Sequence, residues 1–462
     1  MRNNSNRAWK ESIMNTKNLG EKNAMRVDRM LTLILCMVML TNNASQASEP
    51  IPAPKQKHPI ALIGATVHTV SGAVIQNGTI LFDKGKIVAV GTAVTIPQNT
   101  ERIDTRGKHI YPGLIDASSS LGLTEIGSVR GTLDLSETGR INPNVRAEVA
   151  IHPESELIPV ARSGGITVAA VSPAGGLISG TAAAIMMDGW TYEEMTLKAP
   201  LALVVNWPSM VYSPGRFMRM SREDWQKQRD EQLKQLRDAF AESRAYLKAK
   251  DAEKEKGIHY HDLDMRWEAM RPVFSKKIPV VVNANEISQI QAAVAWGEEE
   301  QIRIIIGGGR DAWRVADLLK AKDIPVIVNP IHTAPMRRWE GFDEAYTTPA
   351  KLKEAGVRFC ISGDYSASNS RNTPHHAATA AAYGLAHDEA LKAITLYPAQ
   401  ILGLEAMLGS IEVGKDATLM ITDGDPLELS TTVEQIFIQG KKIDMQDKHK
   451  QLYEKYKQLE DR

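Results

Sequence analysis

Short apolar runs recur through the middle of the chain: Ile166–Val171, Leu201–Val205, Pro279–Val282, Arg303–Ile306, Pro325–Val328 and Phe359–Ile361. Each is three to six residues long, too brief for a buried helix, and largely apolar on both faces, as expected of strands covered on both sides. Amphipathic stretches separate several of them. This alternation predicts a parallel α/β sheet or barrel.

The flanks follow another pattern. Ile60–Ile63, Ala65–Val70, Thr79–Phe82 and Lys86–Val90 read as strands, with Asp83-Lys84-Gly85 as a hairpin turn. Leu419–Thr422 and Ile436–Ile443 add strands near the other end. Residues 221–256 are heavily charged, with Leu233, Leu236, Phe240 and Leu247 at near-helical spacing behind the N-cap sequence Ser221-Arg222-Glu223-Asp224. They predict a solvated helix on the outside of the main domain. Residues 447–462 predict a charged C-terminal helix.

The first residues change the picture of where the protein works. Arg26 and Arg29 precede an apolar run from Met30 to Leu40, followed by the small-x-small sequence Ser45-Gln46-Ala47. That reads as an export signal over residues 1–47, with initiation at Met25; an uncleaved anchor is the alternative. The signal predicts an exported, periplasmic protein with no stable membrane span after signal removal. Lys+Arg and Asp+Glu both number 55 among 462 residues, which gives no electrostatic case for nucleic acid. Cys36 lies in the signal, leaving Cys360 as a lone core thiol and no intrachain disulfide.

The segment Tyr111-Pro112-Gly113-Leu114-Ile115-Asp116-Ala117-Ser118-Ser119-Ser120 resembles the first barrel strand of the amidohydrolase superfamily, imidazolonepropionase-like branch. Gly409-Ser410-Ile411-Glu412-Val413-Gly414-Lys415 resembles the family's closing segment. The resemblance implies a (β/α)8 TIM-type barrel over residues 111–405, beside a small composite β-sandwich built from residues 58–110 and 406–446. It also implies hydrolysis of a non-peptide C–N bond with zinc or a similar divalent ion held by histidines.

At those positions the chain departs from the family. Ser118 and Ser120 stand for His-x-His, Asn283 for the next histidine in Val282-Asn283-Ala284-Asn285, and Gly308 for another. Hydroxyls and amides are poor zinc ligands. No metal or other cofactor is therefore predicted. Asp364 alone keeps its family residue and is the candidate general base; Ser118, Ser120, Asn283, Asn285, Arg310 and Asp311 are the candidate substrate-binding residues. A substitute metal site from Glu125, Asp364 and a histidine is a further option. His259-Tyr260-His261 reads as surface, and either His375 or His376 alone is a candidate acid or base. Gly175–Thr181 reads as a glycine-rich loop near the pocket. Two functions stay open: a hydrolase with a degenerate metal site, or an exported, inactive barrel that binds a small molecule or a protein. Homo-oligomerisation is compatible with either.

Overall fold

The computed structural model describes residues 51–212, 220–253, 255, 260 and 262–459. Residues 1–47, read from the sequence as an export signal, and both His259 and His261 lie outside the described residues. No helix among those described is long and apolar enough to cross a membrane.

The first five strands are β1 (Ile60–Val67), β2 (Ile75–Asp83), β3 (Lys86–Gly91), β4 (Glu101–Asp104) and β5 (His109–Pro112). The last three are β14 (Leu419–Thr422), β15 (Val433–Ile438) and β16 (Lys441–Lys442). They form one sheet in the order β16-β15-β14-β5-β1-β2-β3, with β4 on β1. The join between the two ends of the chain is the antiparallel pair β5–β14, with Tyr111 opposite Met420. The sheet folds over its own core, so Phe82 of β2 meets Phe437 of β15 edge-on at 5.2 Å. Sandwich-like packing arises because Ile80, Phe82, Leu419 and Phe437 all point inward and are buried.

From β5 the chain passes directly into the barrel through Gly113, where a Cβ would overlap the Thr167 side chain. Eight strands follow: β6 (Leu114–Ser119), β7 (Ile166–Val171), β8 (Ile178–Met186), β9 (Thr196–Asn206), β10 (Val280–Ala284), β11 (Ile304–Gly308), β12 (Val326–Val328) and β13 (Phe359–Ile361). They lie in sequence order. A parallel bridge between Ser119 and Tyr365 brings the two edges together, so the sheet is nearly closed.

One strand departs from the all-parallel expectation. β8 is antiparallel to both β7 and β9. The chain reverses after β7 in a turn containing Gly175 (φ +83°) and Gly176 (φ +65°), backbone that glycine adopts without a Cβ clash. No helix intervenes, so a return strand replaces a crossover. Thus only the first part of the Gly175–Thr181 segment is a turn, and Ile178 onward is strand.

The charged insertion forms a helix over Arg222–Ala252, and Ser221 Oγ accepts from Asp224 N at 3.0 Å. Its buried stripe includes Leu236, Phe240 and Leu247. Phe240 packs edge-on against Trp296 (4.8 Å) and Phe274 (5.8 Å) on the barrel's outer layer. The C-terminal helix spans Lys448–Lys457, capped by Asp447.

Candidate ligand site in the barrel lumen

A cavity of about 300 Å3 opens at the C-terminal ends of the barrel strands. Its walls are small: Ala117, Ala170, Ala174, Ala182 and Ala202 leave open space that leucines would fill. The rim is polar. Asn206, Asn283 and Asn329 each end or follow an apolar strand, and Asn285 lies two residues past Asn283.

Parallel strands in register set neighbouring side chains side by side. Asn283 pairs with Asn206 across β10 and β9. Asn283 Nδ2 accordingly donates to Asn206 Oδ1 at 2.8 Å. Asn206 Nδ2 in turn donates to the Gly175 and Gly176 carbonyls and to Ser179 Oγ at 2.9 Å. The β7–β8 turn is therefore tied to the asparagine rim.

β11 makes room for these amides. A Cβ on Gly307 would lie 2.5 Å from Asn283 Oδ1, and one on Gly308 2.5 Å from Asn285 Oδ1. Gly308 also has φ +87°. Any side chain at Gly308 would have to displace Asn285.

Ser118 and Ser120 part company. The pairing of β6 with β7 is irregular between Asp116 and Ser119, which breaks the two-residue alternation. Ser118 lines the cavity. Ser120 is buried instead, donating through Oγ to the Tyr365 carbonyl at 2.9 Å and accepting from Ala367 N at 3.1 Å. Beneath them Asp116 is fully buried, and burial raises its pKa against the opposing hydrogen bonds from Ser362, Ser118 N and Gly363 N. Tyr365, at φ +70°, donates its hydroxyl to the Ser172 carbonyl at 2.7 Å, and burial pushes its pKa up to about 12.

The remaining sequence candidates sit outside this lining. Asp364 is exposed; its carboxylate accepts from Ser366 N (3.0 Å) and Asn369 Nδ2 (2.6 Å). Asp311 is buried and takes a bidentate ion pair from Arg337 at 2.9 and 2.6 Å. With Glu340 and Glu344 it forms a carboxylate trio within 4.8 Å, interleaved with Arg337 and Arg314. Arg310 Nε is buried without a hydrogen-bond partner. The trio of Glu125, Asp364 and a histidine is not brought together among the described residues.

His376 is buried, with Nδ1 accepting from the Ile331 and His332 amides at 3.2 and 3.4 Å, and its ring stacks on His332. Burial, reinforced by His332, lowers its pKa to about 4. It is neutral at pH 7, with the proton on Nε2.

The sequence reading missed Asn206, Asn329, Ser172 and Tyr365. The first two carried a signal: Val204-Val205-Asn206, Val281-Val282-Asn283 and Ile327-Val328-Asn329 repeat one ending on three strands. Ser172 and Tyr365 had none, because their places depend on the β7–β8 turn and on barrel closure.

Residues 315–444 match the family model described as "Amidohydrolase family". A solved amidohydrolase from Thermotoga maritima MSB8 is 29% identical, with a TM-score of 0.74, over 83% of this chain and 99% of that one. These matches support membership of the amidohydrolase superfamily. A Xaa-Pro dipeptidase structure shares the fold at a TM-score of 0.52 and 14% identity, covering 84% of this chain and all of its own (100%). The curated amidohydrolase tasK of Hapsidospora irregularis is 24% identical over 407 residues, which is 79% of this chain. The chain spans only 39% of the length of that relative.

Proposed function

We propose that this amidohydrolase-type barrel, of the imidazolonepropionase-like branch, binds a small, uncharged, hydrogen-bonding molecule in its lumen and has a degenerate metal site. One observation carries the reading: every residue lining the cavity is neutral. Asparagine amides and serine hydroxyls donate and accept at a rim above an alanine-lined wall, which suits an amide, lactam or urea. A divalent ion of the kind the family resemblance implies needs imidazole or carboxylate donors, and this donor set does not fit one. The Asn285 amide over Gly308 fills the space a histidine side chain would need.

The family match favours a second reading, hydrolysis of a C–N bond with Asp364 as general base. A base must come within hydrogen-bond reach of its water. Asp364 lies outside the lining and is engaged by Ser366 and Asn369, which weighs against this reading.

Two measurements separate them. The first is metal content after expression with excess zinc and purification without chelator. The second is calorimetric binding of a panel of small neutral amides, lactams and ureas. Binding without stoichiometric metal, weakened about tenfold or more by Asn283→Leu and unchanged by Asp364→Asn, is expected. Stoichiometric zinc, or turnover abolished by Asp364→Asn, makes the hydrolase reading the correct one.

A further inference from the structure

A second and larger space, about 830 Å3, opens on the opposite end of the barrel. It lies where β9 to β13 begin, so it is separated from the asparagine rim by the length of the strands. Cations precede successive strands: Lys276 and Lys277 before β10, Arg303 before β11, Lys322 before β12 and Arg358 before β13. Lys198, early in β9, completes the set. Lys322 is paired with Glu298, and Arg358 with Asp323 at 2.8 Å. Glu405 is the one other acid in the lining. The balance is strongly positive in a chain whose formal net charge is zero.

Helix C-termini point toward this face of such a barrel, and cations commonly neutralise their carbonyls. Lys198 does so, donating to the Leu402 and Gly403 carbonyls at 3.4 and 3.0 Å. That explanation does not reach the others. Arg303 donates to the Lys277 carbonyl at 3.2 Å, which belongs to no helix. Lys276, Lys277 and Arg303 form no ion pair among the described residues.

The turns leaving three helices place Lys276 (φ +56°), Gln301 (φ +53°) and Asp323 (φ +52°) in the left-handed region, and all three line this space. Glycine is the usual occupant there, and Gly356 and Gly403 fill that role on two other helices. Polar side chains kept at a conformational cost are characteristic of functional rims. Burial lowers the Lys198 pKa, against the opposing pull of Glu405 and with a smaller push from Arg303.

We propose that the N-terminal mouth of the barrel is an anion site for a small molecule carrying two or more phosphate groups, held by Lys276, Lys277 and Arg303 with Lys198 behind them. The proposal is independent of the lumen reading. The test is calorimetric titration of the whole protein with inorganic tripolyphosphate at low ionic strength, with sodium chloride of matched ionic strength as control. Saturable binding is expected, weakened about tenfold or more in the exposed triple variant Lys276→Glu/Lys277→Glu/Arg303→Glu. Circular dichroism of that variant establishes that it folds, and the single change Lys277→Gln gives a smaller loss if it does not. Absence of binding by the native protein, an equal response to chloride, or full binding by the folded variant overturns the proposal.

Discussion

At the scale of single residues, Gly308 has the tightest requirement in the lumen. Its positive φ and the Asn285 amide act together, so Gly308→Ala combines backbone strain with displacement of a rim amide. A loss of about 2 kcal/mol in the urea unfolding free energy is expected. Unchanged stability would show that Asn285 moves freely. His376 carries a pH dependence of known sign. Its pKa falls from 6.5 to about 4 on folding, so the unfolded chain takes up the proton first. Its effect is absent above pH 6.5, and destabilisation grows as pH falls toward 4, reaching roughly 3 kcal/mol. His68, also lowered to about 4 by burial and by His109, acts in the same direction, whereas buried Asp116, with its raised pKa, acts in the opposite one. The clean measurement is therefore a difference: His376→Gln should show a shallower fall in urea midpoint than the native protein between pH 7 and 4.5. Equal slopes would mean that His376 does not titrate in this range.

At the scale of elements, the sequence was legible wherever burial alone decides. Apolar runs such as Val280-Val281-Val282 and Ile304-Ile305-Ile306 became strands because both of their faces are covered. The long helix was legible because Leu236, Phe240 and Leu247 form one stripe. Phe240 is fully buried between two aromatic rings, so Phe240→Ala is expected to cost about 3–5 kcal/mol by thermal or urea unfolding. A cost under 1 kcal/mol would mean that the helix is docked loosely. β8 was not legible. Ser179, Gly180 and Ala182-Ala183-Ala184 lack the β-branched residues that announce a strand. Ala182 lines the cavity, where bulk would fill it, and a Cβ on Gly180 would meet the Val145 backbone. Asn206 and Asn329 escaped for a different reason: each looks like a polar end to an apolar run until register places them on one rim. Ser120 was misread because a constant two-residue alternation fails at an irregular strand end.

At the scale of the molecule, a small set of groups joins the composite sheet to the barrel. Asp188, two residues past β8, forms ion pairs with Arg162 at 3.6 Å and with Lys441 of β16 at 2.6 Å, and accepts from Ala53 N. Arg162 also donates to the Met187 and Asp444 carbonyls at 2.9 and 3.1 Å. One carboxylate thus holds the barrel, the segment entering β1 and the last strand of the chain. Both Arg162 and Asp188 have side chains at most 5% exposed. Removing the acid leaves a buried guanidinium without its counter-charge, a worse state than having neither group. Asp188→Ala should cost about 3–5 kcal/mol, while Arg162→Met/Asp188→Leu should recover much of that loss because the buried guanidinium goes with the acid, leaving only the more exposed Lys441 unpaired. Unfolding should also lose cooperativity in Asp188→Ala, with the composite sheet melting before the barrel, since β14 joins β5 across the whole intervening barrel sequence. Hydrogen exchange read separately on β1 and β10 distinguishes the outcomes. Earlier exchange in β1 supports a coupling role for Asp188, and simultaneous exchange at both strands shows that the β5–β14 pairing alone holds the two parts together.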